Sequence, residues 1–241
     1  MRILSVADIH YTLKQFDWLK QVADRYDLLI IPGDLLDIVS VVDLDTQILV
    51  VKKYLRELPA KVPVLVSSGN HDGDIRNAAG ENVADWLQDA GEFGCHVDGG
   101  SYEQDGFLFT ICPWWDGDVT REEVDEILRR DSEKSRDKWV WIYHAPPAGS
   151  QLSWDGRREF GDSFLLDWIE KYQPDLVLSG HIHQAPFAKG GAWHDRIGKT
   201  LVINAGKQIG PIPALCEIDT EANEITWRSL AGVETTELWA Q

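Results

Sequence analysis

Short apolar runs recur along the chain, separated by polar segments with helical period. Ile3 to Ala7, Leu28 to Ile31, Val64 to Val66, Phe107 to Ile111, Trp139 to Tyr143, Leu176 to Leu178 and Leu201 to Ile203 are rich in β-branched, aliphatic and aromatic residues. Each has the length of a buried strand. Between early runs, Leu13, Phe16, Leu19, Val22, Ala23 and Tyr26 repeat at three and four, as do Ile48, Val51, Leu55 and Leu58. That spacing puts each set on one helix face. Thr120 and Glu123 have capping-box spacing and predict that the polar stretch Thr120 to Lys138 is helical; Asp162 is placed to cap a helix carrying Leu165, Trp168, Ile169 and Tyr172. Thr200 to Arg228 reads as strands and turns. Strands alternating with helices predict an α/β fold with an antiparallel portion late in the chain. With no repeat, low-complexity tract or linker among the 241 residues, we read 1–241 as a single domain.

The polar residues that interrupt this pattern share a position: they follow strands. The first run ends in Asp8-Ile9-His10, the second in Pro32-Gly33-Asp34-Leu35-Leu36-Asp37, and the third leads to Gly69-Asn70-His71-Asp72. Later runs end in His144-Ala145-Pro146-Pro147 and in Gly180-His181-Ile182-His183. Carboxyl ends of parallel strands share one sheet edge, where ligands bind. The segments would thus deliver Asp8, His10, Asp34, Asn70, His71, Asp72, His144, His181 and His183 to one place. Five of the seven histidines lie in these loops, and only His96 and His194 lie elsewhere. Alone, an Asp-x-His is usually a surface pair, and Gly-Asp after a strand is usually a turn. The ordered set behind strands is what points to metal. Oxygen and imidazole donors without thiolate suit Mn, Fe or Zn, and so many donors imply two ions. Gly33, Gly69 and Gly180 precede the key residues, as expected where the backbone turns sharply or approaches a ligand.

Composition narrows the chemistry. With 23 Lys and Arg against 40 Asp and Glu, the formal charge is −17. This acidity, without a basic cluster, argues against long nucleic acids as partners. Small phosphate compounds remain open, because cations can bring them in. Cys95, Cys112 and Cys216 are too few and too scattered for a disulfide framework or a thiolate site, which fits a reducing, cytoplasmic setting. The first residues lack signal-peptide architecture, and no apolar run is long enough for a membrane span.

The series Asp-x-His, Gly-Asp-x-x-Asp, Gly-Asn-His-Asp, His and Gly-His-x-His, from Asp8 to His183, resembles the pattern of the calcineurin-like metallophosphoesterase superfamily with no member missing. The resemblance implies a four-layer αββα sandwich, in which a central mixed β-sandwich is flanked by helices. It implies a first metal held by Asp8, His10, Asp34 and His183, and a second held by Asp34, Asn70, His144 and His181. Asp34 would bridge the ions, His71 would be the general acid, and Asp72 would orient it. The implied activity is hydrolysis of small phosphomonoesters or phosphodiesters by a metal-bridging hydroxide. The chemistry is coherent, because two cations about 3.5–4 Å apart can position a nucleophile and neutralise phosphoryl oxygens. A histidine titrating near neutrality can protonate the leaving group. Outside the motifs, Tyr11, Trp114, Trp115 and Asp116, with Trp154, Arg157 and Arg158 from the Gly149 to Gly161 segment, are candidate pocket walls. The alternatives are a non-catalytic scaffold on the same fold, which would not need His71 with a full ligand set, and a nuclease-type phosphodiesterase, which the missing basic track disfavours.

Overall fold

A computed structural model describes residues 1–239 of the chain. Strands β1 (Arg2–Ser5), β2 (Leu28–Pro32) and β3 (Val64–Ser67) lie parallel, joined through helices α1 (Leu13–Val22) and α2 (Leu44–Glu57). A small hairpin, β4 (Ile75–Arg76) and β5 (Asn82–Val83), and helix α3 (Gln88–Glu92) lead to the antiparallel pair β6 (Ser101–Gln104) and β7 (Phe107–Ile111). Helix α4 (Asp118–Ser132), β8 (Lys138–Ile142), α5 (Ser163–Tyr172) and β9 (Leu176–Ser179) follow. The last strands are β10 (His194–Ile197), β11 (Thr200–Asn204), β12 (Leu215–Asp219), β13 (Glu224–Ser229) and β14 (Gly232–Glu237). They complete two six-stranded sheets, ordered β14-β13-β12-β1-β2-β3 and β10-β11-β9-β8-β7-β6.

Alternation along each strand sorts the apolar residues into three cores. In β2, Leu28 and Ile30 face the second sheet, where they join Val140, Ile142, Leu176 and Leu178. Leu29 and Ile31 face the other way and pack under α1 and α2 with Phe16, Leu19, Val51 and Leu55. In β8 the outward residues are Trp139 and Trp141, covered by Val124 and Leu128 of α4 and Leu165 and Ile169 of α5. The layers therefore run helix, sheet, sheet, helix, as the family pattern implied.

The elements that the apolar pattern misses sit at edges. Strand β14 lies beyond the expected Thr200 to Arg228 stretch, is largely exposed, and is held by its antiparallel ladder with β13. An edge strand buries too little to leave a hydrophobic signature. Helix α4 begins two residues before Thr120 and ends at Ser132, short of Lys138. Thr120 is not its N-cap. The Thr120 hydroxyl accepts the Gly117 amide at 3.2 Å, while the Glu81 carboxylate, from outside the helix, accepts the Val119 and Thr120 amides at 3.0 and 2.8 Å. Asp162 does cap α5, accepting from the amides of Phe164 and Leu165.

Candidate metal centre

The loops after β1 and β2 are laced together before any side chain is considered. The amides of Asp8, His10 and Tyr11 donate to the carbonyls of Gly33, Asp34 and Leu35 at 3.2, 2.9 and 2.8 Å. The lacing holds an unusual backbone: Asp8 (φ 56°), His10 (43°), Asp34 (55°) and His181 (68°) are all left-handed. Such residues cost about 1 kcal/mol or more each and persist where the surroundings over-determine them. The second sheet joins through His144, whose Nδ1 lies 2.7 Å from the Pro32 carbonyl at the end of β2, while within that sheet the Gly180 amide donates to the His144 carbonyl.

These contacts bring the donor atoms together. Asp8, His10, Asp34 and His183 form one group able to hold an ion, and Asp34, His144 and His181 form another. Asp34 belongs to both. Its Oδ1 accepts the His71 amide at 2.9 Å, and its Oδ2 stands 3.3 Å from His10 Nε2 and 3.2 Å from His144 Nε2. Asp8 Oδ1 accepts the His181 amide at 3.0 Å and lies 3.5 Å from His183 Nε2. Asn70 Oδ1 is 2.7 Å from His181 Nδ1, which adds Asn70 to the second group.

The residues fit a resident cation. Asp8 and Asp34 are each about 1% exposed, and a buried carboxylate needs a partner. Asp8 Oδ2 and His144 Nε2 are buried with no hydrogen-bond partner. Because His144 Nδ1 can only donate to the Pro32 carbonyl, Nε2 is the nitrogen that can take an ion in place of a proton, the arrangement that orients metal-binding imidazoles. His10 Nε2 and His183 Nε2 face each other at 2.9 Å. A Cβ on Gly69 would lie 2.2 Å from Asp34 Oδ1 and 2.8 Å from His144 Nε2, so only glycine clears the donors there.

Charge at the centre is unevenly shared. Burial alone would press His144 down, but Asp34, Asp8 and the Pro32 carbonyl bring it up to about 9. Burial and the neighbouring His144 charge push His181 down to about 4. Burial works against ionisation of Asp8 and Asp34, yet the surrounding histidines hold both below the usual carboxylate range.

The sequence matches the calcineurin-like phosphoesterase description over residues 1–185. The chain belongs to that family. No curated protein matches it. Among solved structures it is similar to TT1561 of Thermus thermophilus, at 15% identity with 98% of each chain covered and a TM-score of 0.61. It also resembles a purple acid phosphatase from yellow lupin (Lupinus luteus) seeds, at 15% identity with 99% of this chain and 51% of that one covered and a TM-score of 0.54. A third similarity is to a 5'-nucleotidase precursor from Thermus thermophilus, at 12% identity over 91% of this chain and 51% of that one, with a TM-score of 0.56. At these identities the likeness is one of fold.

Several residues differ from the expectation. Asp72 does not touch His71: its carboxylate accepts the amides of Leu35 and Leu36 at 2.9 Å and of Gly69 at 2.8 Å. Asp72 therefore ties the loops after β2 and β3, and burial followed by the charge of Asp34 raises its pKa. What faces His71 Nδ1 is the Ile38 amide, a donor at 3.3 Å, with Asp37 Oδ1 at 3.9 Å. Nδ1 accepting fixes the proton on Nε2, and burial lowers the ring's pKa. Asp37 was visible as the last residue of Gly-Asp-x-x-Asp; with His10 and His71 it makes a third group within ligand reach. Lys207 left no motif signal. Its amide donates to the His183 carbonyl at 3.2 Å, and its half-buried ammonium lies in the field of Asp37, Asp8 and Asp34.

Of the proposed walls, Trp114, Trp115 and Asp116 line a cavity that includes His181. Tyr11 packs instead against the core beneath α1. Trp154 gives its indole N–H to the Lys189 carbonyl, and Arg157 and Arg158 form an exposed turn on Asp155.

Proposed function

We propose that this chain hydrolyses small phosphomonoesters or phosphodiesters at a centre of two divalent ions, drawn from Mn, Fe and Zn. Asp8, His10, Asp34 and His183 would hold one ion, and Asp34, Asn70, His144 and His181 the other. The observation that carries this reading is Asp34 Oδ2, a single carboxylate oxygen standing between imidazole nitrogens of the two groups, at 3.3 and 3.2 Å. When bound, such ions supply Lewis-acid neutralisation of the phosphoryl oxygens and a water that deprotonates near neutral pH.

The chain's own groups do the rest. We assign His71 Nε2 to deliver a proton to the departing oxygen from the imidazolium form, which leaves a neutral ring, with Asp37 Oδ1 3.9 Å from Nδ1 to balance the charge before transfer. Lys207 supplies a positive charge in the field of Asp37, Asp8 and Asp34. Asp72 acts through position, holding the loop that carries Asn70 and His71 against the loop that carries Asp34. The buried free thiols Cys95, Cys112 and Cys216 support a reducing, cytoplasmic setting. Among the described residues no helix is long and apolar enough to cross a membrane.

The test is to load the protein with Mn²⁺, Fe²⁺ or Zn²⁺, count bound ions by elemental analysis, and assay aryl monoesters and diesters. Two ions per chain and turnover that vanishes in Asp34→Asn are the expected result. One ion or none, or an Asp34→Asn protein that keeps both, overturns the reading.

A further inference from the structure

Beside the centre, a cavity of about 370 Å³ opens between the loops after β7 and β8 and the start of α5. Its walls include Trp114, Trp115, Phe160, Phe164, Asp162 and His181. His181 belongs both to the second donor group and to this wall. The Trp114 ring lies 5.4 Å from the His181 ring and 5.8 Å from that of His144, centroid to centroid. The cavity therefore begins where the second group of ligands ends, and its volume lies in the range of small-molecule sites.

Several polar atoms of the wall are already engaged. Asp162 Oδ1 caps α5, and its Oδ2 accepts from the Trp115 indole at 3.0 Å and from the Tyr143 hydroxyl. Asp116 Oδ2 accepts the Asn82 amide at 2.8 Å. No Lys or Arg lines the cavity. Arg121 stacks on Phe164 and Arg158 on Phe160, at 4.4 and 5.1 Å. What the cavity offers a ligand is aromatic face, with Arg121 and Arg158 stacked against two of its rings.

Resting on the phosphoesterase reading, we propose that this cavity receives the organic group of the substrate and selects a flat, uncharged ring, aryl or nucleobase, over polyols. Stacking on an aromatic face tolerates any such ring.

The experiment measures binding and turnover separately on the Mn²⁺-loaded protein. Calorimetry should show phenylphosphonate bound at least about tenfold more tightly than methylphosphonate. Trp114→Ala should shrink that ratio to about threefold or less. Phe160→Ala, at a rim position 44% exposed, should shrink it in the same direction without disturbing the fold. In turnover, p-nitrophenyl phosphate and a nucleoside 2',3'-cyclic phosphate should exceed glycerol 2-phosphate in kcat/KM. Trp114→Ala should cost the flat substrates about ten- to a hundredfold, chiefly through KM, and several-fold more than it costs glycerol 2-phosphate. A larger loss for one flat substrate supports the proposal and identifies the ring. Equal phosphonate affinities, or equal losses on all substrates, overturn it. A phenyl preference without turnover of any ester would instead overturn the proposed activity and leave the cavity assignment standing.

Discussion

The two sheets contribute different chemistry to the centre. Loops of the first sheet, after β1, β2 and β3, carry every carboxylate of the two groups, Asp8 and Asp34, together with Asn70 and His10. Loops of the second sheet, after β8 and β9, bring only imidazoles: His144, His181 and His183. One half supplies negative charge, the other imidazoles alone. Each group draws donors from both sheets. Closing the sandwich is what pairs buried carboxylates with their counter-charge, so cation binding and the docking of the sheets reinforce each other.

Breaking the shared carboxylate should have the largest effect. Asp34→Asn is expected to lower turnover on the order of 10³-fold or more and to empty both positions, whereas His181→Ala, on the imidazole side, should release one ion and retain the other. Elemental analysis beside kinetics distinguishes them; matching metal loss in both variants would show that the halves are not divided as described. Next comes His71→Ala, which should keep its metal and lose about 10²- to 10⁴-fold in kcat, mostly with poor leaving groups. If the metal departs as well, His71 is a ligand alongside Asp37 and His10.

Smaller effects sharpen the contrast. Asp72→Ala leaves three amides unpaired in the seam within the first sheet, at a cost of about 3 kcal/mol, or about 6–12 °C in Tm, readable by calorimetry. Restored stability in Asp72→Asn would show that acceptance, not charge, is what the seam needs. The gentlest test lies far from the centre. Asp131 lies on the buried face of the last turn of α4, and although burial opposes ionisation, Arg130, Lys134 and Thr110 hold its carboxyl below the usual range. A depressed folded pKa adds stability that is full above the unfolded value near 3.9 and lost as pH falls through the lower folded value. Asp131→Asn should therefore flatten the acid limb of a stability–pH curve and leave metal binding alone; an unchanged limb would remove Asp131 from that role.

Much of this was legible along the chain, and the reason is local. Buried strands write an apolar run, and a ligand that must stand at the sheet edge follows that run within a few residues. Hence Asp8, His10, Asp34, Asn70, His144, His181 and His183 could be named from position and type. The capping of α5 by Asp162 was equally readable, because donor and acceptor are two and three residues apart. Features that depend on separated segments left no trace. Asp72 beside His71 in sequence suggested a pair, but its carboxylate reaches 36 and 37 residues back to Leu36 and Leu35. Glu81 caps α4 across 38 residues, displacing Thr120 from the expected role. The division of Trp114 and Trp115 from Trp154 is of the same kind, since a tryptophan's packing and its exposure to a cavity look alike in composition. Residue type and local spacing determined the fold class and which candidate donors gather at the sheet edge; hydrogen bonds and cavities shared by distant segments, which exist only after the sheets have docked, decided which polar groups stand within ligand reach of one another and which tie the seam.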